Sequence, residues 1–185
     1  RPENIKAKLL LSGAAIQVDR LDFAREKINS LPAQIQKTPY GNQIRAVLAF
    51  ENKEYKSAAN FANQSISRGY DTIINRIIVG ISSYHLDLLE QAHNHLSKVN
   101  KSAPNNKLVQ QYLTATELRL NKPEEAAELF KSTDISNTND VSMANKISLE
   151  LLKSGLWSES NIIQQRIANF SAIKGMPEHS ALSET

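Results

Sequence analysis

Histidine is the first residue to inspect for chemistry near neutral pH, because its imidazole both moves protons and ligates metals. His85, His93 and His95 are the densest such group in the chain. Two residues apart on one helix, His93 and His95 point to nearly opposite sides. A shared metal would need ligands converging from elsewhere, so we read all three as surface or rim residues and expect no metal site. The chain has no Cys, which removes disulfides, thiolate nucleophiles and Cys-based zinc. No Ser stands with a legible base and orienting acid. A glycine-rich phosphate loop and a paired-His zinc-protease motif are both missing from the sequence. We therefore expect no catalytic residue, no cofactor and no enzyme activity.

Composition narrows the partner classes. Of 185 residues, 41% are hydrophobic and 22% charged, which is ordinary globular usage. Six Gly and six Pro favour long helices over a turn-rich β fold. The net charge is only +3, and Lys and Arg are interspersed with Glu, as in Glu3, Lys6 and Lys8. A nucleic-acid binder concentrates its basic residues on one face, so no nucleic-acid partner is expected. No apolar run reaches the roughly 18 residues that span a bilayer, and no signal peptide is visible. Arg1 is not a natural start, which suggests a piece of a longer chain.

Any functional side chain must be carried by the internal repeat. Ala24, Ala58, Ala92 and Ala126 stand 34 residues apart, and one more step reaches Ser160. That is the tetratricopeptide period. Twelve residues before each anchor come Ser12, Ala46, Gly80, Thr114 and Ser148, all small. Eight before come Ile16, Phe50, Tyr84, Leu118 and Leu152, all large. Three before come Leu21, Tyr55, Leu89, Pro123 and Trp157, suited to closing a hairpin turn. Two antiparallel helices that cross closely need small residues at the crossing, and Gly80 requires such a reason because Gly costs a helix about 1 kcal/mol. One hairpin cannot bury its own apolar face, so hairpins must stack.

The fold expected is an all-α, right-handed α-solenoid of about five helical hairpins. The repeat domain covers 1–174, in units 5–38, 39–72, 73–106, 107–140 and 141–174, followed by a polar tail over 175–185. Asn121-Lys122-Pro123-Glu124-Glu125 reads as a turn with an acidic first helical turn, and Gly155 as a helix C-cap. The segment 132–142, rich in Ser, Thr, Asn and Asp, reads as a loop followed by a late helix start. Arg45, Ala62 and Gln164 depart from their columns.

The repeat resembles the tetratricopeptide family over residues 5–174. The string Gly80-Ile81-Ser82-Ser83-Tyr84-His85-Leu86-Asp87-Leu88-Leu89-Glu90-Gln91-Ala92, with Ala103-Pro104-Asn105-Asn106 and Leu118-Arg119-Leu120, is similar to the central repeats of large tetratricopeptide lipoproteins of the bacterial exosortase (PEP-CTERM) system. That resemblance implies an envelope-facing scaffold linked to exopolysaccharide export or surface-protein sorting. It implies a periplasmic or cell-envelope location, with the cytoplasm still open, and a lipid-anchoring Cys upstream.

In this family the first helix of each hairpin lines the groove. Its exposed slots correspond here to Tyr40, Gln43, Glu51, Ile77, Ile81, Tyr84, His85, Gln111, Arg119, Asn145 and Lys153. Amide, aromatic and charged groups there suit an extended peptide, while Ile77, Ile81 and Tyr84 equally suit packing. Tyr84 with His85 combines stacking area and hydrogen bonding. The function expected is a protein-interaction scaffold with a protein or peptide partner. The alternative is direct polysaccharide binding on Tyr40, Phe50 and Tyr84.

Overall fold

The computed structural model describes residues 4–131 and 135–174. The tail expected over 175–185 and residues 132–134 of the polar segment lie outside them. Among the described residues there are eleven helices and no strand: α1 (Ile5–Gln17), α2 (Leu21–Asn29), α3 (Ala33–Gln36), α4 (Pro39–Glu51), α5 (Tyr55–Ser67), α6 (Ile73–His85), α7 (Leu89–Ser102), α8 (Lys107–Arg119), α9 (Pro123–Lys131), α10 (Thr138–Lys153) and α11 (Trp157–Lys174). The pairs α1/α2, α4/α5, α6/α7, α8/α9 and α10/α11 are helical hairpins. The chain divides into two compact units, Arg1–Pro104 with the first three hairpins and Asn105–Thr185 with the last two.

Each helix start and turn repeats with the sequence. Asn4, Thr38, Thr72 and Asn106, 34 residues apart, each accept a hydrogen bond from the backbone N–H three residues on, at 3.1, 3.2, 3.2 and 3.1 Å. Such a cap satisfies one of the N–H groups that a helix start leaves without an internal partner. At the other end, Asp19, Lys53, Asp87, Asn121 and Gly155 all have positive φ. After each, the chain closes the same pair of backbone bonds, such as Asp87 N–H to the Tyr84 carbonyl at 3.3 Å and Leu88 N–H to the Ser83 carbonyl at 2.9 Å. This is the Schellman arrangement, here with glycine in only one of five turns.

The fifth hairpin differs from expectation. Its first helix begins at Thr138, inside the segment read as a loop with a late start. Asn137 accepts from Asp140 N–H at 3.0 Å and caps the helix early, which frees Asp140 from the capping role its register assigns.

The small column does what its composition implies. Ser12, Ala46, Thr114 and Ser148, with the anchors Ala24, Ala58, Ala92, Ala126 and Ser160, are all buried. A Cβ on Gly80 would lie 2.6 Å from Leu96 Cγ, so α6 and α7 cross too closely for any side chain there. In the fifth hairpin the crossing is polar. Ser148 and Ser160 hydroxyls lie 2.7 Å apart, and Gln164 donates to Ser148 Oγ at 2.8 Å. Gln164 thus replaces the apolar residue of its column by satisfying the Ser pair. Arg45, also out of column, lays its guanidinium 3.8 Å from the centre of the Phe61 ring.

Candidate interaction surface

In the first unit the expected groove residues divide into packed and presented ones. Ile81 is fully buried, which corrects its placement among exposed slots, and Ile77 is half-buried. Burial of this kind is what periodic apolar positions usually show. Tyr40 is half-buried, edge-on to Tyr70 with ring centres 6.0 Å apart, and its hydroxyl occupies the space a Cβ on Gly13 would need. Burial, with Tyr70 beside it, holds the Tyr40 phenol above its ordinary pKa. Gln43, one turn along α4, accepts a hydrogen bond from Thr72 Oγ1 at 2.7 Å. Glu51 is exposed at the end of α4.

Tyr84 and His85 close α6. Their rings meet edge-on at 5.6 Å. His85 is exposed, yet one face of its imidazole lies flat on Tyr55 of the preceding hairpin, 4.1 Å away with 7° between the planes. Tyr55 in turn meets Phe50 edge-on at 6.1 Å. The pair singled out from sequence is therefore half of a four-ring cluster that joins α4, α5 and α6. Tyr55 was assigned only to closing its own turn, and no column of period 34 links it to His85, thirty residues on. His93 and His95 are half-buried. Burial, then Arg76 and Lys98, hold the His95 imidazole below its usual pKa against the opposing pull of Asp71.

In the second unit the polar centre is Asp140, a residue the sequence reading passed over. Its carboxylate is buried. It receives Lys107 Nζ at 2.8 Å, Ser136 N–H and Oγ both at 2.9 Å, and Gln111 Nε2 at 3.1 Å. Burial pushes its pKa up, but the bonds from Lys107, Ser136 and Gln111 outweigh that and leave it below the ordinary carboxylate value. Gln111 and Asp140 stand where Gln43 and Thr72 stand two periods earlier. Both units thus hold one end of a first-helix Gln amide with the side chain at the next capping position.

The other expected residues lie along the same helices. Arg119 is exposed at the end of α8. Asn145 is exposed, accepts from Gln164 at 3.4 Å, and lines a shallow open cleft of about 450 Å³ along α10 with Val141, Lys146 and Leu149. Lys153 pairs with Glu150 at 2.7 Å. Among the described residues no group of three His, Asp or Glu is placed to hold a metal, and no helix is long and apolar enough to cross a membrane.

No family model and no curated protein matches the chain. Solved structures do match. A mutant of MamA agrees with a TM-score of 0.77 at 13% identity, over 90% of this chain and 96% of that one. MamA MSR-1 gives 0.74 at 14% identity, over 92% and 98%. YrrB, described as a TPR protein with an unusual peptide-binding site, gives 0.72 at 10% identity, over 93% and 86%. Likeness at such identities shows the fold alone, and that fold is a helical solenoid of tetratricopeptide-type hairpins.

Proposed function

We propose that this chain is a protein-interaction scaffold that takes an extended peptide segment of its partner along the first helices of its hairpins. An anchored first-helix amide, present in each unit by itself, carries the proposal. Thr72 holds the oxygen of Gln43 and leaves its nitrogen to donate, while Asp140 holds the nitrogen of Gln111 and leaves its oxygen to accept. A peptide backbone offers one acceptor and one donor per residue, so a rung of either sense suits it. Anchoring also lowers the entropy lost on binding. A polysaccharide would want flat exposed rings, whereas Tyr40 is wedged against Gly13 and both Phe50 and Tyr84 are half-buried.

Capture of partners from a native extract, read by mass spectrometry, compares this chain with its Gln43→Ala/Gln111→Ala variant. A partner that loses about tenfold or more in affinity with the variant, at an unchanged urea midpoint, supports the scaffold, since two lost hydrogen bonds are worth that much. Equal capture by both defeats it. The finer setting, an envelope protein tied to exopolysaccharide export or surface-protein sorting, rests on the Gly80–Ala92 string. Cell fractionation tests it, and recovery of the native protein wholly in the cytosol would overturn it.

A further inference from the structure

An apolar patch stands open inside the first unit, beside its anchored amide. Tyr70, Ile73 and Ile74 lie where the second hairpin passes into the third, and they are 36%, 47% and 48% exposed. Tyr40, one period before Ile74, is by contrast half-buried with Tyr70 against it. Ile74 stands two residues after Thr72, which holds the Gln43 amide. The patch is fixed in place from below. Buried Asn75 donates from Nδ2 to the Tyr70 carbonyl at 2.8 Å and to Ser65 Oγ at 2.9 Å, and Ser65 Oγ donates to the Pro39 carbonyl at 2.8 Å. The linker between α5 and α6 is thereby tied to the start of α4, so little order has to be gained there on binding. The charge of this linker region is one-sided. Arg76 is paired with Asp71. Lys37 and Arg68 are exposed and meet no carboxylate among the described residues; Arg68 donates instead to the Lys37 carbonyl.

We infer that this edge of the groove takes an acidic, aliphatic segment of the partner, with an aliphatic side chain on Tyr70, Ile73 and Ile74 and a nearby carboxylate at Lys37 and Arg68. The inference rests on the peptide-scaffold reading and adds to it the side-chain chemistry of the peptide. Apolar residues grouped on a surface mark an interaction site where scattered ones do not. Charge decides the occupant, because two cations left without carboxylates favour a negative segment and repel a basic one. The Gln43 amide then meets the backbone of that segment while the patch reads its side chains.

A phage library of random short peptides, selected against the full chain, tests this without a known partner. The consensus peptide is then synthesised and its binding measured by fluorescence anisotropy to the full chain and to Ile74→Ser, Lys37→Glu and Gln43→Ala. Ile74 and Lys37 are exposed, so unchanged urea midpoints are expected for both of their variants. The consensus is expected to place Leu, Ile or Val within a few residues of Asp or Glu. Its affinity should fall about tenfold with Ile74→Ser, the equivalent of roughly two methylene groups returned to water. With Lys37→Glu it should fall about fivefold at low salt and less at high salt. A consensus that is basic or lacks an aliphatic residue overturns the inference, as does a peptide bound equally by the full chain, Ile74→Ser and Lys37→Glu. If that same peptide still weakens with Gln43→Ala, the scaffold reading stands and only the side-chain chemistry falls. A library that yields no consensus overturns both.

Discussion

Replacing Gly80 by Ala should destabilise the chain even though Ala is the better helix former, and the outcome should depend on Leu96. The added Cβ would lie 2.6 Å from Leu96 Cγ and 2.7 Å from Cδ2. Carbon atoms in good contact stand about 3.5–4.0 Å apart, so roughly 1 Å of separation must be found. Leu96 is fully buried, and its backbone nitrogen would be only 3.4 Å away, so neither side chain nor helix can retreat cheaply. Overpacking costs about 1–3 kcal/mol, against a helix-propensity gain of about 1 kcal/mol. The net loss is then up to about 2 kcal/mol. Leu96→Ala alone should cost about 2–5 kcal/mol. The double variant should be better than Leu96→Ala by about 1 kcal/mol, because the methyl added in Gly80→Ala enters the space that Leu96 vacates. It would install the pair that the second hairpin already uses, Ala46 with Ala62, both fully buried. Urea unfolding followed by circular dichroism measures all four corners, with a constant slope required for the comparison. Additivity within about 0.5 kcal/mol, or a Gly80→Ala variant that gains the full propensity term, would refute the close crossing of α6 and α7.

Lys53→Gly should stabilise by about 0.5–1 kcal/mol in urea unfolding, since Lys53 holds φ at 61° with no glycine freedom. Gly155→Ala should lose about 1 kcal/mol by the same measurement, because φ is 78° and its Cβ would meet nothing within 4 Å, leaving only backbone strain. Asp140→Asn should cost about 1–3 kcal/mol at pH 7 through its charge-assisted bonds. The folded pKa of Asp140 is depressed, so its contribution is present above the unfolded value of about 3.9 and lost as pH falls through the folded value; with Asp140→Asn, urea midpoints should drop less on acidification. His95 is also depressed, so its stability term holds above about pH 6.5 and declines as pH falls toward the folded pKa. His95→Gln should flatten the fall in urea midpoint between about pH 7.5 and about pH 5.

Spacing exposed the hairpins because helix crossing constrains one residue per period so tightly. Gly80, Ala46 and Ala92 are small for a reason that acts at every repeat, so the columns were legible by type alone. The turns were not, because the Schellman φ is taken by Asp19, Lys53, Asp87 and Asn121, none of which announces it as Gly155 does. The fifth helix start was misplaced because Asn137 offers the same capping oxygen three residues ahead of the register. The site was legible only in part, and for a single physical reason. A period of 34 relates a position to its own copies, whereas chemistry at the surface lies between unlike columns. Tyr55 covers His85, Lys107 meets Asp140, and Gln164 satisfies Ser148, each through a pairing of residues chosen once and not repeated identically. Side chains in such pairs are free to vary as long as both partners agree, so neither partner alone betrays the contact. The Gln43–Thr72 and Gln111–Asp140 rungs are the informative intermediate case. There the unlike columns recur two periods apart with the Gln retained and its partner changed from hydroxyl to carboxylate, which reverses the end of the amide that the partner holds.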